Sequence, residues 1–522
     1  MILRATKCAV KPSPSGRGLG EGQVRIEGNS LNGFLKLGLA SLTKSASPGR
    51  RGRKCIPLSF IMAVSACSFA PDYHKPEMPV PAEFKESRNW KQAEPADNKP
   101  RGNWWEVYGS PELNDLEIKA LKSNQDLKSA FARYEQARAQ ASFARADYFP
   151  TVLGNASGNR SGLSRNVANA ATNNVYNDYS VSGDLSYELD LWGRVRNNVE
   201  AASSGAEASK ADLATAQLSL AAELATDYFA LRADDSSQTI LDDTVTAYQK
   251  ALDLTQSRFK GGIASQTDVD QSILQLANAR TQAADMHLKR AQLEHAIAVL
   301  VGEIPSSFTL KPAPLEAKVP PIGTALPSAL LERRPDVAAA ERRAKAANAN
   351  IGVARAAWFP QINLLGSFGV ESTSTGNLFT APSEIWALGP SALLGFLDVG
   401  HISALNTGAR AAFDEAAANY RSAALNAYKD VEDSIVAMRQ LEMENSTQTD
   451  ATKAADRVLV QEQDRYTGGI VNYLNVVEAQ NSDLQAKLAS VDIEARQLTA
   501  SVQLIKALGG GWNNDVDDKT KK

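Results

Sequence analysis

Three features are scarce in this sequence: cysteine, aromatic side chains and long apolar runs. The only cysteines are Cys8, Cys55 and Cys67, so no disulfide can cross-link the chain beyond residue 67. Aromatic residues make up 7% of the chain and the mean hydropathy is −0.29, which favours long Ala-rich polar helices over a thick globular core. No apolar run reaches the length of about eighteen residues that predicts a transmembrane helix.

Basic residues are also in the minority once the first 66 residues are set aside. Those residues contain 11 of the 56 Lys+Arg and 2 of the 59 Asp+Glu, which leaves the rest of the chain with a net charge of −12. This balance excludes a nucleic-acid-binding protein on charge grounds.

Patterns typical of enzymes are missing as well. His287 and His295 are eight residues apart, do not share one helix face and have no nearby cysteine, so we expect no metal site. No Ser-His-Asp arrangement or phosphate-binding loop occurs in context, and we therefore expect no catalytic residue and no cofactor. The Asp pairs at 234–235 and 242–243 are interpreted as solvated helix faces.

The region around Cys67 has the order of a secretory signal. A basic stretch "RRGRK" at 50–54 precedes the apolar "CIPLSFIMAV" at 55–64, and the small residues of "VSAC" lead to Cys67. This resembles a bacterial lipobox, in which the new N-terminal cysteine receives a covalent lipid; the alternative is an ordinary signal peptide with a chance cysteine. Residues 1–49 show no structural pattern and are expected to be an over-extended start.

The body of the chain contains an internal sequence repeat. "ARADYFPTVLGNASG" at 144–158 matches "ARAAWFPQINLLGSFG" at 354–369 with an offset of 210, and "SRFKGGI" matches "DRYTGGI" with an offset of 207. A Pro-rich stretch at 305–323 lies between the copies. The predicted organisation is a signal region 1–66, an anchored segment 67–103, repeat 1 at 104–304, a linker 305–324, repeat 2 at 325–510 and a polar tail 511–522.

Each repeat predicts a helix, a strand pair, a very long helix, a Gly-Gly turn and a returning helix. The strand pairs are expected within 150–191 and 360–398. Residues 179–191 alternate strictly, with Val181, Leu185 and Tyr187 on one face and Ser182, Asp184 and Ser186 on the other. The first helical pattern covers about 108–147, and the long helices cover about 194–257 and 402–465.

The last helix carries a heptad stripe, which is typical of a coiled-coil seam. Its positions are Leu474, Val477, Asn481, Leu484, Leu488, Val491, Ala495, Leu498, Val502 and Ile505. Repeat 1 keeps the same register with smaller residues at Leu274, Ala277, Thr281, Ala284, Leu288, Ala291 and His295.

One chain cannot bury these elements. Small closed barrels need about eight strands, and an open sheet of four leaves its edges exposed. Three chains would supply about twelve strands, an even number of the kind found in membrane barrels, together with a ring of helices. The predicted fold class is therefore a mixed α/β membrane protein: a trimeric outer-membrane β-barrel of about twelve strands, continued by a long coiled-coil helical barrel in the periplasm.

Several motifs carry a resemblance to a known family. They are "NWWEVYGSPELNDLEIKAL" at 103–121, "LDLWGRVR" at 189–196, "LLERRPDVAAAERRAKAANANIGVARAAWFP" at 330–360 and the twin Gly-Gly turns. With the lipobox, they resemble the outer-membrane factors, the TolC-like ducts, in their lipid-anchored OprM/NodT-like branch. The resemblance covers about 67–510.

The resemblance implies a homotrimeric exit duct in the outer membrane of a Gram-negative bacterium. Its partners would be a periplasmic adaptor protein and an inner-membrane transporter of the proton-driven RND type, and its cargo would be small molecules. Two alternatives stay open: a type I secretion duct for polypeptides, and a periplasmic coiled-coil scaffold without a pore.

The resemblance also gives roles to particular residues. The twin turns become the periplasmic tips that dock the adaptor, or else simple helix caps, at Gly261, Gly262, Ile263, Gly468, Gly469 and Ile470. Leu474 and Glu478, one helical turn apart, match the pore constriction, where three Glu478 carboxylates would form a cation-preferring ring. Leu474 also lies on the heptad stripe, so burial between helices is the competing interpretation.

Overall fold

The structure is a computed structural model that describes residues 68–81, 84–85, 102–162, 175–320, 333–395 and 397–510. All of them belong to one compact unit, Ser59–Lys522. The predictions for Cys67, for the signal region and for the tail after 510 lie outside the described residues.

From the helix before each strand pair onward, both repeats have the same order of elements. In the described part of the chain these are α1 (Pro111–Ser123), α2 (Gln125–Ala146), β1 (Thr151–Gly162), β2 (Val175–Glu188), α3 (Arg194–Lys260), α4 (Gln266–Leu300), α5 (Pro335–Ala356), β3 (Gln361–Ser372), β4 (Glu384–Leu393), α6 (Val399–Thr467) and α7 (Tyr473–Ala507). No helix among the described residues is both long and apolar enough to cross a membrane.

The first helical run is broken where the sequence predicts continuity. Asn124 ends α1 and begins α2: its backbone is extended at ψ 132°, and its side chain accepts a hydrogen bond from the Leu127 N–H at 2.8 Å. The same amide donates to the Leu300 carbonyl at 3.0 Å. A buried asparagine that caps one helix and bonds to another is stable only in this tertiary context, so the helical periodicity alone does not predict the break.

The two long helices determine the shape of the protomer. Helix α3 has 67 residues and α6 has 69, which corresponds to about 100 Å each at 1.5 Å per residue. Helix α3 packs against α2, α4, α5 and α7, whereas α6 packs mainly against α5 and α7. Two helices of repeat 2, α5 and α7, therefore pack along the long helix of repeat 1.

The four strands form one antiparallel sheet in the order β1-β2-β3-β4. The register opposes Val181 with Val370 and Phe368 with Trp386, while on the other face Asp184 lies opposite Ser367. One face is therefore mainly apolar, and the other carries a band of Ser, Asn, Asp and Glu. This confirms the alternation predicted for 179–191 as far as Glu188, where β2 ends.

The largest buried cluster lies where α1, α3, α4 and α7 meet the linker. It includes Trp105, Leu113, Phe229, Ile297, Val502 and the linker residues Phe308 and Leu310. A second cluster in repeat 2 joins Val337, Tyr420, Val431 and Leu504. The Pro-rich linker is thus part of the core.

One prediction about helix faces is wrong, and a second is not met within the protomer. Asp235 is only 5% exposed and is not on a solvated face, because it pairs with two arginines; Asp242 and Asp243 are exposed as predicted. In α4 the heptad stripe around Leu274 and Leu288 is exposed in the protomer. The buried face of α4 instead contains Val269, Ser272, Leu276, Ala279 and Ala283.

Candidate functional site

The first hairpin tip joins α3 to α4 through a left-handed glycine. Gly261 has φ −81°, and Gly262 has φ 73°. The Gly262 N–H donates to the Phe259 carbonyl and the Ile263 N–H donates to the Arg258 carbonyl, both at 2.9 Å. These two hydrogen bonds form a Schellman motif, which satisfies carbonyl groups at the end of a helix.

The second tip repeats this geometry between α6 and α7. Gly468 has φ −74° and Gly469 has φ 73°. The Gly469 N–H donates to the Tyr466 carbonyl at 3.0 Å, and the Ile470 N–H donates to the Arg465 carbonyl at 2.9 Å. In each pair only the second glycine is left-handed.

The two glycines of a tip should respond differently to alanine. Gly469→Ala is expected to cost about 1–2 kcal/mol, because an L-residue must adopt the left-handed conformation. Gly468→Ala serves as the matched control and should be tolerated, since a Cβ there would make only ordinary contacts, the shortest 3.4 Å from the Asp464 carbonyl oxygen. Urea unfolding of the detergent-purified protein measures both, and equal costs would contradict this geometry.

Each returning helix begins with a side-chain cap. Ser265 and Asp268 form a capping box at the start of α4, with reciprocal hydrogen bonds of 3.1 and 3.0 Å. Asn472 caps α7 by accepting from the Asn475 N–H. Between turn and cap, Ile263 and Ile470 are 72% and 71% exposed. Each tip therefore presents a fixed isoleucine to its surroundings.

The two tips of one protomer touch. Arg258 in α3 donates to the Thr467 carbonyl at 3.3 Å, and its guanidinium lies 4.8 Å from the centre of the Tyr466 ring. The Tyr466 ring lies 5.3 Å from that of Tyr473, at the start of α7. Arg258 is not among the predicted site residues, although the repeat contains a signal for it: Arg258 and Arg465 occupy equivalent positions before the two turns.

Leu474 and Glu478 lie on the same side of α7. Leu474 is 45% exposed and Glu478 is exposed, while Tyr473, Val476 and Val477 form the buried face. Within one protomer Leu474 is therefore not buried in a helix–helix seam. This leaves both side chains available at the hairpin end of the molecule.

Among the residues that the structure describes, no group of three or more His, Cys, Asp or Glu side chains could hold a metal ion. His287 and His295 are both exposed on α4.

Comparison with known proteins bears directly on these two repeats. The family described as "Outer membrane efflux protein" matches residues 118–303 and again residues 326–510. The chain belongs to the outer membrane efflux protein family. The two matched stretches together cover most of the chain, and each contains one strand pair, one long helix and one hairpin tip.

Individual relatives agree with this assignment. The probable efflux pump outer membrane protein TtgC of Pseudomonas putida is 32% identical over 453 residues, which is 86% of this chain and 93% of the relative. The Campylobacter jejuni CmeC outer membrane channel superposes with a TM-score of 0.81 at 26% identity, covering 86% of this chain and 96% of that one. The Neisseria gonorrhoeae MtrE channel, solved in its open state, has a TM-score of 0.76 at 30% identity, covering 85% and 98%.

The predicted fold class and general function are thereby confirmed. The chain is an outer-membrane exit channel of an efflux system in a Gram-negative bacterium, extending from the outer membrane into the periplasm. Its family consists of transport ducts, whose members work with adaptor and transporter components.

Proposed function

We propose that three copies of this chain close into a duct that conducts small molecules passively, supplied by a periplasmic adaptor and a proton-driven RND-type transporter. The observation that carries the proposal is the unequal packing of the two repeats. Helix α3 of repeat 1 packs against α5 of repeat 2, but the corresponding contact of α6 with α2 is not formed to a comparable extent within the described protomer.

The sheet has the same asymmetry. Strand β2 pairs with β3 across the repeats, whereas β1 and β4 are the free edges of the described sheet. The β2–β3 pair joins the second strand of one repeat to the first strand of the next. If a second copy continued this pattern, its β1 would pair with β4 of the first copy. Three chains then supply about twelve strands, with the polar face towards a water-filled lumen and the apolar face towards lipid.

Exposed apolar side chains support the same assembly. Phe131 and Phe143 on α2, and Leu274 and Leu288 on α4, are exposed in the protomer. In repeat 2 the corresponding helices are α5 and α7, and both pack on α3. Because α6 is the repeat 2 counterpart of α3, the α6 of a neighbouring copy would cover the exposed side chains of α2 and α4 in the same way.

A gene deletion combined with biophysics tests this function. Deletion should raise the susceptibility of the host to small toxic compounds, and the purified protein should be a trimer that conducts ions in planar bilayers. Lost secretion of a polypeptide with unchanged susceptibility would favour type I secretion instead. A trimer without conductance would favour the scaffold.

The duct requires a constriction, which we place at Leu474 and Glu478. Glu478→Gln should weaken cation preference in single-channel recordings, because it removes three charges around the lumen while keeping the side-chain shape. Asp270→Asn is the matched control, since Asp270 is an exposed carboxylate near the start of α4 in the other hairpin. Equal effects of the two substitutions would contradict a ring at Glu478.

Leu474→Ala should raise single-channel conductance without lowering the melting temperature of the trimer. The side chain is half exposed in the protomer, so its truncation should cost much less than the about 2–5 kcal/mol of a buried leucine. A lower melting temperature with unchanged conductance would show that Leu474 is only a packing residue. The docking of an adaptor on Ile263 and Ile470 belongs to the same proposal.

A further inference from the structure

An extended N-terminal strap, residues 68–81, is fastened to the body although it contains no regular secondary structure. The Ser68 hydroxyl donates to Asn197 Oδ1 at 3.1 Å. Further along, the Arg355 guanidinium donates to the Phe69 carbonyl at 3.0 Å, and the Asn348 amide donates to the Pro71 carbonyl at 2.8 Å. The Tyr73 hydroxyl donates to Glu341 Oε1 at 3.1 Å. Two backbone carbonyls of the strap, those of Phe69 and Pro71, are thus satisfied by side chains of α5.

Two glycines make room for the first three strap residues. A Cβ at Gly352 in α5 would clash with the Asn197 amide and lie 2.7 Å from the Ala70 Cβ. Gly193, just before α3, has φ 78°, and a Cβ there would lie 3.2 Å from the Ser68 Cα. Because Gly193 belongs to repeat 1 and Gly352 to repeat 2, both repeats contribute to this seat.

An aromatic stack completes the seat. The Phe69 ring lies 4.5 Å from the Phe359 ring at an interplanar angle of 4°, and the Phe359 ring lies 4.9 Å from Trp192. The Trp192 indole N–H donates to the Pro360 carbonyl at 2.8 Å. Trp192 follows β2 and Phe359 precedes β3, so the seat lies at the boundary between strands and helices.

The internal repeat provides a second place that could have held the strap, but its residues differ. With the offset of 210, Gly352 corresponds to Ser142, Asn348 to Arg138 and Glu341 to Phe131. The equivalent surface on α2 therefore has a side chain where the seat has a glycine, and it lacks the amide and the carboxylate that bind the strap. Of the two equivalent positions in each chain, only that on repeat 2 can hold it.

We infer that this seat is an intramolecular docking site that holds residues 68–70 at the strand–helix boundary, on repeat 2 only. The consequence for anchoring rests on the proposed function and on the lipidation predicted for Cys67: the chain from Ser68 onward is held at one defined position per protomer, beside the ends of β2 and β3. Gly193, Gly352, Asn197 and Phe69 are then positioning residues for the anchored end of the chain.

Chymotrypsin digestion of the full-length protein in detergent tests the seat, because the strap offers cleavage sites after Phe69 and Tyr73. Gly352→Ala should accelerate cleavage in the strap at least tenfold. Gly205→Ala is the matched control: Gly205 is also helical, but a Cβ there meets nothing within 4 Å, so cleavage should keep the wild-type rate. Wild-type rates for both variants would overturn the proposal.

A second variant leaves the body of the protein intact. Phe69→Ala removes only the strap's part of the aromatic stack, and it should accelerate cleavage after Tyr73 at least tenfold. Tyr73 cleaved at the wild-type rate in this variant would also overturn the proposal. Mass spectrometry of the N-terminal peptide reports separately whether Cys67 carries a lipid. A protected strap on a protein without lipid would leave the seat established and refute only the lipidation predicted for Cys67.

Discussion

Asp235→Asn should destabilise the protein by about 3–5 kcal/mol, the usual cost of breaking a buried ion pair by removing one partner. The carboxylate joins two helices of repeat 1 to the linker. It accepts from Arg232 in α3 at 2.7 Å and from Arg290 in α4 at 2.6 Å, and the linker Ala313 N–H donates to it at 3.1 Å. Asparagine keeps the shape but removes the carboxylate that Arg232 and Arg290 share, so that Arg232 keeps only Glu112 and Arg290 keeps only Glu294 as an acidic partner.

The linker makes this loss larger than that of an isolated pair. Arg232 also donates to the Lys311 carbonyl at 2.8 Å and Arg290 to the Leu310 carbonyl at 2.6 Å. The Leu310 N–H donates to Glu294 at 2.6 Å. The linker backbone at Leu310 and Lys311 is therefore hydrogen-bonded to charged side chains of α3 and α4, in place of the backbone partners that a sheet or helix would provide. Loosening the arginines should expose the linker to proteolysis as well.

Urea unfolding of the purified protein measures the effect, with Asp253→Asn as the control. Asp253 is an exposed carboxylate on the same helix, with only a hydrogen bond from Gln249 at 2.9 Å. Its substitution should change the free energy of unfolding by less than about 0.5 kcal/mol. If Asp235→Asn behaved like this control, water would have to reach the arginines, and the linker would not depend on the carboxylate.

Local patterns were sufficient to predict most of the architecture. The repeated "GGI" predicts both tips because a left-handed glycine after a long helix is a local requirement, met identically at Gly262 and Gly469. Strand alternation likewise predicts the two faces of the sheet, since side chains on one strand must alternate whatever lies opposite. Both signals are local, because each depends only on residues that are close together in the sequence.

Contacts between distant segments were not predictable in the same way. The Asp pair at 234–235 has the composition of a solvated face. Asp235 is buried and paired only because the fold brings Arg290 and Ala313 next to it. The spacing of residues predicts the heptad stripe around Leu274, but its exposure in the protomer depends on which face of α4 meets α3. Periodicity shows that a stripe exists and does not say which partner covers it.

Glu117→Gln, unlike Asp235→Asn, should stabilise the protein at neutral pH. The side chain is 0% exposed, and neither carboxyl oxygen has a hydrogen-bond partner among the described residues. Burial raises the pKa of Glu117 to about 9, so the folded protein holds this carboxyl protonated at pH 7, whereas the unfolded chain releases the proton above its ordinary range. Folding must therefore take up a proton, at a cost of about 1.4 kcal/mol per pH unit.

The sign of the pH dependence follows from this proton uptake. Because the folded state binds more protons than the unfolded state between the ordinary pKa and about 9, stability should fall as pH rises through that window. Burial also raises the pKa of Asp227 and Asp234 to about 6, so part of the fall below pH 6 belongs to them. Between pH 6 and 9 the slope should belong mainly to Glu117.

Glutamine is neutral at every pH and keeps the shape of the acid, so Glu117→Gln should flatten this slope and raise stability at pH 7 by about 3 kcal/mol. Unfolding curves recorded from pH 6 to pH 9 measure the difference between variant and wild type. Asp115→Asn, at an exposed position on the same helix, should leave the slope as it is. Parallel curves for wild type and Glu117→Gln would mean that the carboxyl ionises inside the folded protein, with water or a cation beside it, and the buried neutral acid would have to be abandoned.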